Sequence, residues 1–232
     1  MRKRVFNWRG QRFAYLGLEA EPGGSAEQQS QRLFERAAAE LKALGLALDR
    51  HVVRTRVFGR TREARNIVSD VRARTFTGDA RAATSSYISP AHFTSAAEVA
   101  LDLFAMAAPA GGAKREVTEH TPPQSFIRHL VWGPMVFLAG MTCEEFPTLR
   151  EQYTDVLARA QGLLRETGCD WDNVVRVSFF LHRDHDPAAL LAGVAAAPVP
   201  LDNAEVEVVD GFSRPGKLVE IEITAVNRHA RA

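Results

Sequence analysis

The stretches "RGQRFAYLGLEAE" (9–21) and "WGPMVFLAGMTCE" (132–144) decide the reading of this chain: laid over one another, they bring Gly17 onto Gly140 at an offset of 140 − 17 = 123. A self-match of this kind is sought before any fold is assigned, because a missed repeat misleads everything after it. Two more landmarks keep the order. "ALGLALDRHVVRTRVFG" (43–59) pairs with "ETGCDWDNVVRVSFFLH" (166–182), with Gly45 on Gly168 at 168 − 45 = 123. "AAEVALDLFAMA" (96–107) pairs with "GKLVEIEITAVN" (216–227), with Val99 on Val219 at 219 − 99 = 120.

Each half therefore spells one unit. An opening strand ends at a glycine, Gly17 or Gly140, where a side chain would block a close approach. A helix follows, about 26–44 in the first half and 148–167 in the second, with apolar residues such as Leu33, Ala37 and Leu41, or Tyr153, Val156 and Leu157, at helical spacing. Gly45 and Gly168 stand where a helix C-terminus favours positive φ. A central strand comes next, then a second helix, clear over 61–74 and shortened to "DPAALLAGVAAA" in the second half. Closing strands complete the unit. The halves are 1–107 and 125–232, and residues 108–124, rich in Gly and Pro, read as a linker.

Composition bounds the class. At 232 residues, 46% hydrophobic and 25% charged, the chain can build ordinary globular cores, and it holds no apolar run of the roughly 20 residues needed to span a bilayer. "MRKR" is followed by "VFNWRGQRF" and does not read as a secretory signal. Cys143 and Cys169 alone make no disulfide framework, so a cytoplasmic location is expected. A net charge of +1 argues against nucleic acid and anionic membranes as partners. Seven arginines between Arg54 and Arg74, mixed with Glu63 and Asp70, read as a solvated helix face.

The ordered set "VFLAGMT", "GCDWDNVVRVSFFLH" and "LVEIEITAV", with "ELKALGLALDRHVVRTRVFG", Asn66 and "AEVALDLFAMA" in the first half, resembles the Rid family (RidA/YjgF, reactive intermediate deaminases) twice over. The resemblance implies an α+β fold of two tandem Rid-like (chorismate mutase-like) units, each a mixed sheet backed by two helices. It implies three units closing a barrel with ligand clefts between neighbours, hence a homo-oligomer, most simply a trimer of two-unit chains. The chorismatases, which also join two Rid-like units in one chain, offer the alternative of halves that pair within the chain.

In deaminase members of the family an arginine in a "PARS"-like turn binds a carboxylate, and a "VEIE" glutamate positions water to hydrolyse an imine. Glu220 matches that acid, whereas the first half has Ala100 there. The arginine is missing twice, with Thr84 and Asp202 near its positions. By resemblance the candidate site is catalytic Glu220 with a substrate cleft of Gly140, Met141, Thr142, Cys143, Asp202 and Asn203; Glu222, on the same strand face, reads as a solvated neighbour. The expected activity is cofactor-free hydrolysis or deamination of a small metabolite, with a non-catalytic binding protein or a chorismatase-like enzyme as alternatives. A dicarboxylate substrate would call on Arg128, Arg176 or Arg214. "HRDHD" (182–186) reads as a polar turn rather than a metal site, His51, His92 and His129 as isolated residues, and no nucleotide-binding or nucleophile-elbow motif occurs.

Overall fold

A computed structural model describes residues 1–227; the last five residues of the second half lie outside the described residues. The first unit runs β1 (Arg2–Trp8), β2 (Gln11–Glu19), α1 (Ala26–Ala43), the single turn α2 (Leu48–His51), β3 (Val52–Gly59), α3 (Arg62–Thr75), β4 (Ala83–Ile88) and β5 (Val99–Met106). The second runs β6 (Arg115–Thr118), β7 (His129–Trp132), β8 (Met135–Thr142), α4 (Leu149–Glu166), β9 (Val174–His182), α5 (Pro187–Val194), β10 (Ala204–Val209) and β11 (Val219–Val226). The sheets have orders β1-β2-β5-β3-β4 and β6-β7-β8-β11-β9-β10, the same plan with β6 added at one edge. In each, the central strand and the strand after the second helix are parallel and the remaining pairs antiparallel. These are two tandem mixed sheets, as the repeat implies.

The long helices begin at matching capping boxes, Ser25 with Gln28 and Thr148 with Glu151, which satisfy backbone N–H groups that the first turn leaves open. They end before Gly45 and Gly168, at φ +74° and +71°. On each sheet one face packs against its helices: Leu16, Leu18, Leu101 and Leu103 meet Leu33 and Leu41 in the first unit, and Ile221 and Ile223 meet Val156 and Leu164 in the second. The other faces meet each other through Phe13, Val53, Met106, Leu130 and Phe137, and through Phe58, Tyr87, Phe180 and Phe212. Backbone bonds from Ile88 N to Gly211 O (2.8 Å) and from Asp210 N to Ile88 O (2.8 Å) join the units directly.

Two expectations change. The segment read as a linker contains β6, whose pairing with β7 (Arg115 opposite Trp132) extends the second sheet; its alternation is too short to show in a Gly- and Pro-rich stretch. Arg54 and Arg56 lie on β3, a strand buried on both faces, and Arg72 of α3 is also buried. They are not a solvated helix face. The two halves pair within the chain through the sheet faces turned away from their helices, the arrangement that the likeness to the chorismatases offered as the alternative. Among the described residues, no helix is long and apolar enough to cross a membrane.

Candidate functional site between the units

Side chains on a strand alternate between faces, so the helix side of β11 takes Val219, Ile221 and Ile223 while Glu220, Glu222 and Thr224 turn toward the first unit. On β3 the same rule turns Arg54 and Arg56 toward the second. Arg56 Nε and Nη2 donate to Glu222 Oε2 at 3.0 and 2.8 Å, and Nη2 also to Ser178 Oγ at 2.9 Å. Arg54 Nη2 donates to the carbonyls of Leu138 (3.0 Å) and Ile223 (2.9 Å). Its Nη1 lies 3.0 Å from Glu222 Oε2 yet makes no hydrogen bond. Glu222, read as a solvated neighbour, is 2% exposed. Burial pulls its carboxyl up, but the charges of Arg56 and Arg54 and hydrogen bonds from Arg56 and Ser85 outweigh it and hold it at about 2.

Glu220 has the opposite fate. It is 7% exposed, and burial first, then the charge of Glu222, push its carboxyl up to about 7 against the pull of Lys217, Tyr87 and Ser85. Tyr87 OH donates to Glu220 Oε1 at 3.1 Å, and its ring stacks on Phe180 with centroids 4.0 Å apart. Gly140 stands against the same carboxylate and Ser85, where any Cβ would collide with both. The first unit thus fills the space in front of Glu220 with Ser85 and Tyr87.

The other residues expected beside Glu220 scatter. Met141 faces the helix-side core and Thr142 Oγ1 donates to Val219 O at 2.8 Å. Cys143 is buried in that core and also borders a separate surface hollow with Glu144, Arg159 and Lys217. Asp202 and Asn203 sit in a helical turn before β10, where Asn203 Nδ2 donates to Val174 O at 3.3 Å. Ala204 pairs with Val177 and so with the Ile223 end of β11, whereas Glu220 pairs with Phe180; neither Asp202 nor Asn203 joins the Glu220 cluster. Of the dicarboxylate candidates, Arg128 pairs with Glu166 and Arg214 with Glu144, away from the inter-unit space. In the "HRDHD" turn His182 Nδ1 accepts from the Asp184 N–H at 3.4 Å, and no group of three His, Cys, Asp and Glu is placed to hold a metal among the described residues.

The units meet a second time. Where β3 and β4 cover β11 and β8, the matching strands β9 and β10 face β5 and β2. Here the space stays open. An inner cavity of about 300 Å³ is lined by Phe6, Trp8, Phe104 and Phe137 and by Arg54, Arg56, Arg176 and Glu222. It shares Phe6, Arg56, Phe104 and Arg176 as lining with an outer cleft of about 1040 Å³ bordered by Tyr15, Asp102 and Glu205. Three guanidiniums stand against the Glu222 carboxylate and the Glu205 carboxylate that pairs with Arg176 at 2.5 Å, which leaves the group at 3 − 2 = +1. Arg176 lies 5.4 Å over Phe104, and Arg56 lies 4.8 Å over Phe180 and 5.7 Å over Phe104, so aromatic faces hold the guanidiniums in place. Guanidiniums beside aromatic faces can hold an anion with an apolar body. The sequence signal for it is Arg54, Arg56 and Arg176 at strand spacing in otherwise apolar strands.

No family model and no curated protein matches the chain. Solved structures do. A chorismatase, 17% identical, matches with a TM-score of 0.62 over 96% of this chain and 79% of its own. A YjgF-family protein from Neisseria meningitidis, 29% identical, covers 51% of this chain and 98% of its own, with a TM-score of 0.45. A YjgF/YER057c/UK114-family protein from Mycobacterium tuberculosis, 24% identical, covers 49% and 99%, with a TM-score of 0.42. The chain is an α+β protein of two tandem Rid-like units. It shares its fold, over nearly its whole length, with the chorismatase.

Proposed function

We propose that this chain is a small-molecule enzyme of the cytoplasm that works in the open cleft between its units, on a metabolite carrying carboxylates on an apolar ring, as chorismate does, and that the chemistry is cofactor-free hydrolysis. The observation that carries the reading is the inner cavity with three guanidiniums between aromatic walls. A guanidinium fork matches a carboxylate bidentately, and Phe6, Trp8, Phe104 and Phe137 would take the ring. A likeness in fold to a chorismatase agrees with this reading without carrying it. Thermal shift and calorimetry with chorismate and with benzoate test binding; pyruvate released from chorismate, the product of hydrolysing its enolpyruvyl ether, tests turnover. A ligand at 100 times its Kd should stabilise the protein by about 2.7 kcal/mol.

Arg176→Ala is the informative variant, because Arg176 is half-exposed at the mouth and its loss leaves the buried Arg54–Glu222–Arg56 cluster intact. A hydrogen bond to a charged group contributes about 1.5–3 kcal/mol, so binding should weaken by about tenfold or more, while Arg214→Ala, paired with Glu144 elsewhere, should leave it unchanged. Equal effects of the two variants would remove the cleft from the reading.

Imine hydrolysis at Glu220 is the second reading, and the carboxyl held at about 7 favours it, since a group poised near neutrality can give and take a proton. It requires Tyr87 to swing away. Imine hydrolysis abolished by Glu220→Gln, with Arg176→Ala active, would select it over the cleft. A trimer of two-unit chains would have to use surfaces other than the sheet faces already joined; light scattering would return 3 × 25.6 = 76.8 kDa for it, against 25.6 kDa for the single chain that intrachain pairing favours.

A further inference from the structure

Asp102 stands on β5 where Glu222 stands on β11, two residues after the Ala100–Glu220 pair of the repeat, yet its surroundings are of another kind. Glu222 is locked between two buried guanidiniums. Asp102, 6% exposed, accepts from Tyr15 OH at 2.9 Å and from Arg2 Nη2 at 3.4 Å, both on Oδ1, and Arg2 is 65% exposed on the surface. Gly17, its neighbour across the β2–β5 ladder, leaves the room: a Cβ there would lie 2.7 Å from Tyr15 OH and 3.1 Å from Asp102 Oδ1. The carboxyl and Tyr15 both border the outer cleft, beside Arg56 and Arg176.

We propose that Asp102 is the catalytic carboxyl of the cleft, exchanging a proton with the bound anion through Oδ2, and that Tyr15 is the residue that positions it. The proposal rests on the cleft being the site. Of the other carboxyls, Glu222 is ion-paired on both sides, Glu205 is held by Arg176 and Ser178 (2.7 Å), and Glu220 lies behind Tyr87. In the step, the protonated carboxyl gives its proton to the substrate atom whose bond breaks; the water that adds returns a proton to Asp102, so one water is consumed and the carboxyl is regenerated. Burial raises the Asp102 carboxyl, against the pull of His92, Tyr15, Arg2 and Arg56. Glu205 and Glu207 border the same cleft from β10.

The test uses benzoate as the probe anion and protein labelled with ¹³C at aspartate carboxyls, the Asp102 signal assigned by its loss in Asp102→Asn. With benzoate bound, as followed by calorimetry, the Asp102 midpoint should rise by about one pH unit, because a neighbouring negative charge disfavours the ionised form. Tyr15→Phe should raise it without benzoate, because a donor to the carboxylate is lost. Asp102→Asn should bind benzoate within about threefold of the wild type and consume chorismate at least about a hundredfold more slowly. Benzoate binding with an unmoved Asp102 midpoint, or chorismate turnover that survives Asp102→Asn, would overturn the assignment and leave the cleft standing. Failure of the wild type to bind benzoate or chorismate would overturn the cleft itself.

Discussion

Glu222→Gln should cost about 3–5 kcal/mol of folding stability, because it removes the one carboxylate between Arg54 and Arg56, leaving buried Arg54 without an ion-pair partner and buried Arg56 with only the half-exposed Glu205 at 3.6 Å. For a chain of this size that corresponds to a fall in Tm of about 10 °C, measured by calorimetry and checked by urea unfolding. The cost belongs to the broken cluster more than to the ion pairs themselves, since exchanging a whole buried ion cluster for apolar residues is often neutral or stabilising. The triple variant Arg54→Met, Arg56→Leu, Glu222→Met should therefore recover most of the loss. A Glu222→Gln protein that melts within 2 °C of the wild type would show that water screens the cluster in solution.

Glu220→Gln should do the opposite, and only as pH rises above about 4.5. A carboxyl at about 7 in the folded chain and at its ordinary value of 4.5 when unfolded keeps its proton longer in the native state, so stability falls as pH rises from about 4.5 to about 7 and stays lowered beyond. At about 1.4 kcal/mol per pH unit the full penalty is about 3 kcal/mol. Glutamine cannot ionise. The variant should match the wild type near pH 4.5, exceed it by up to about 3 kcal/mol at pH 8, and lose the decline between. Glu222 works in the other direction: its folded value of about 2 supplies stability that is complete above about 4.5 and is lost as pH falls toward 2. The pair thus places maximum stability in mild acid. Urea midpoints at pH 4.5, 6 and 8 check this, and parallel curves for wild type and variant would contradict it.

The same two acids show how far one chain of letters reaches. The repeat, the long helices with their terminal glycines, and the tandem Rid-like plan were all legible, because each depends on neighbours within about 20 residues: capping boxes, helical spacing, strand alternation. Even the puzzle was legible, in that "VEIEI" carries acids at alternate positions of an apolar strand and "VRTRV" carries arginines in the same way. Two charge patterns of strand period, opposite in sign, fit each other across a buried interface.

What local pattern could not supply was which faces meet. Arg56 and Glu222 are 166 residues apart, and nothing in either strand distinguishes a partner across an interface from water. The arginines therefore read as a solvated face and Glu222 as a solvated neighbour. The site moved for the same reason. Motif matching points to Glu220, but Tyr87 and Phe180, 93 residues apart in the chain, stack in front of it, while the half without the glutamate keeps the open cleft. The sequence by itself determined the two units and their inner cores, since period and spacing are local properties; the tertiary structure alone decided which charges are buried and which of two related clefts stays open, since burial and access depend on surfaces that the chain brings together only on folding.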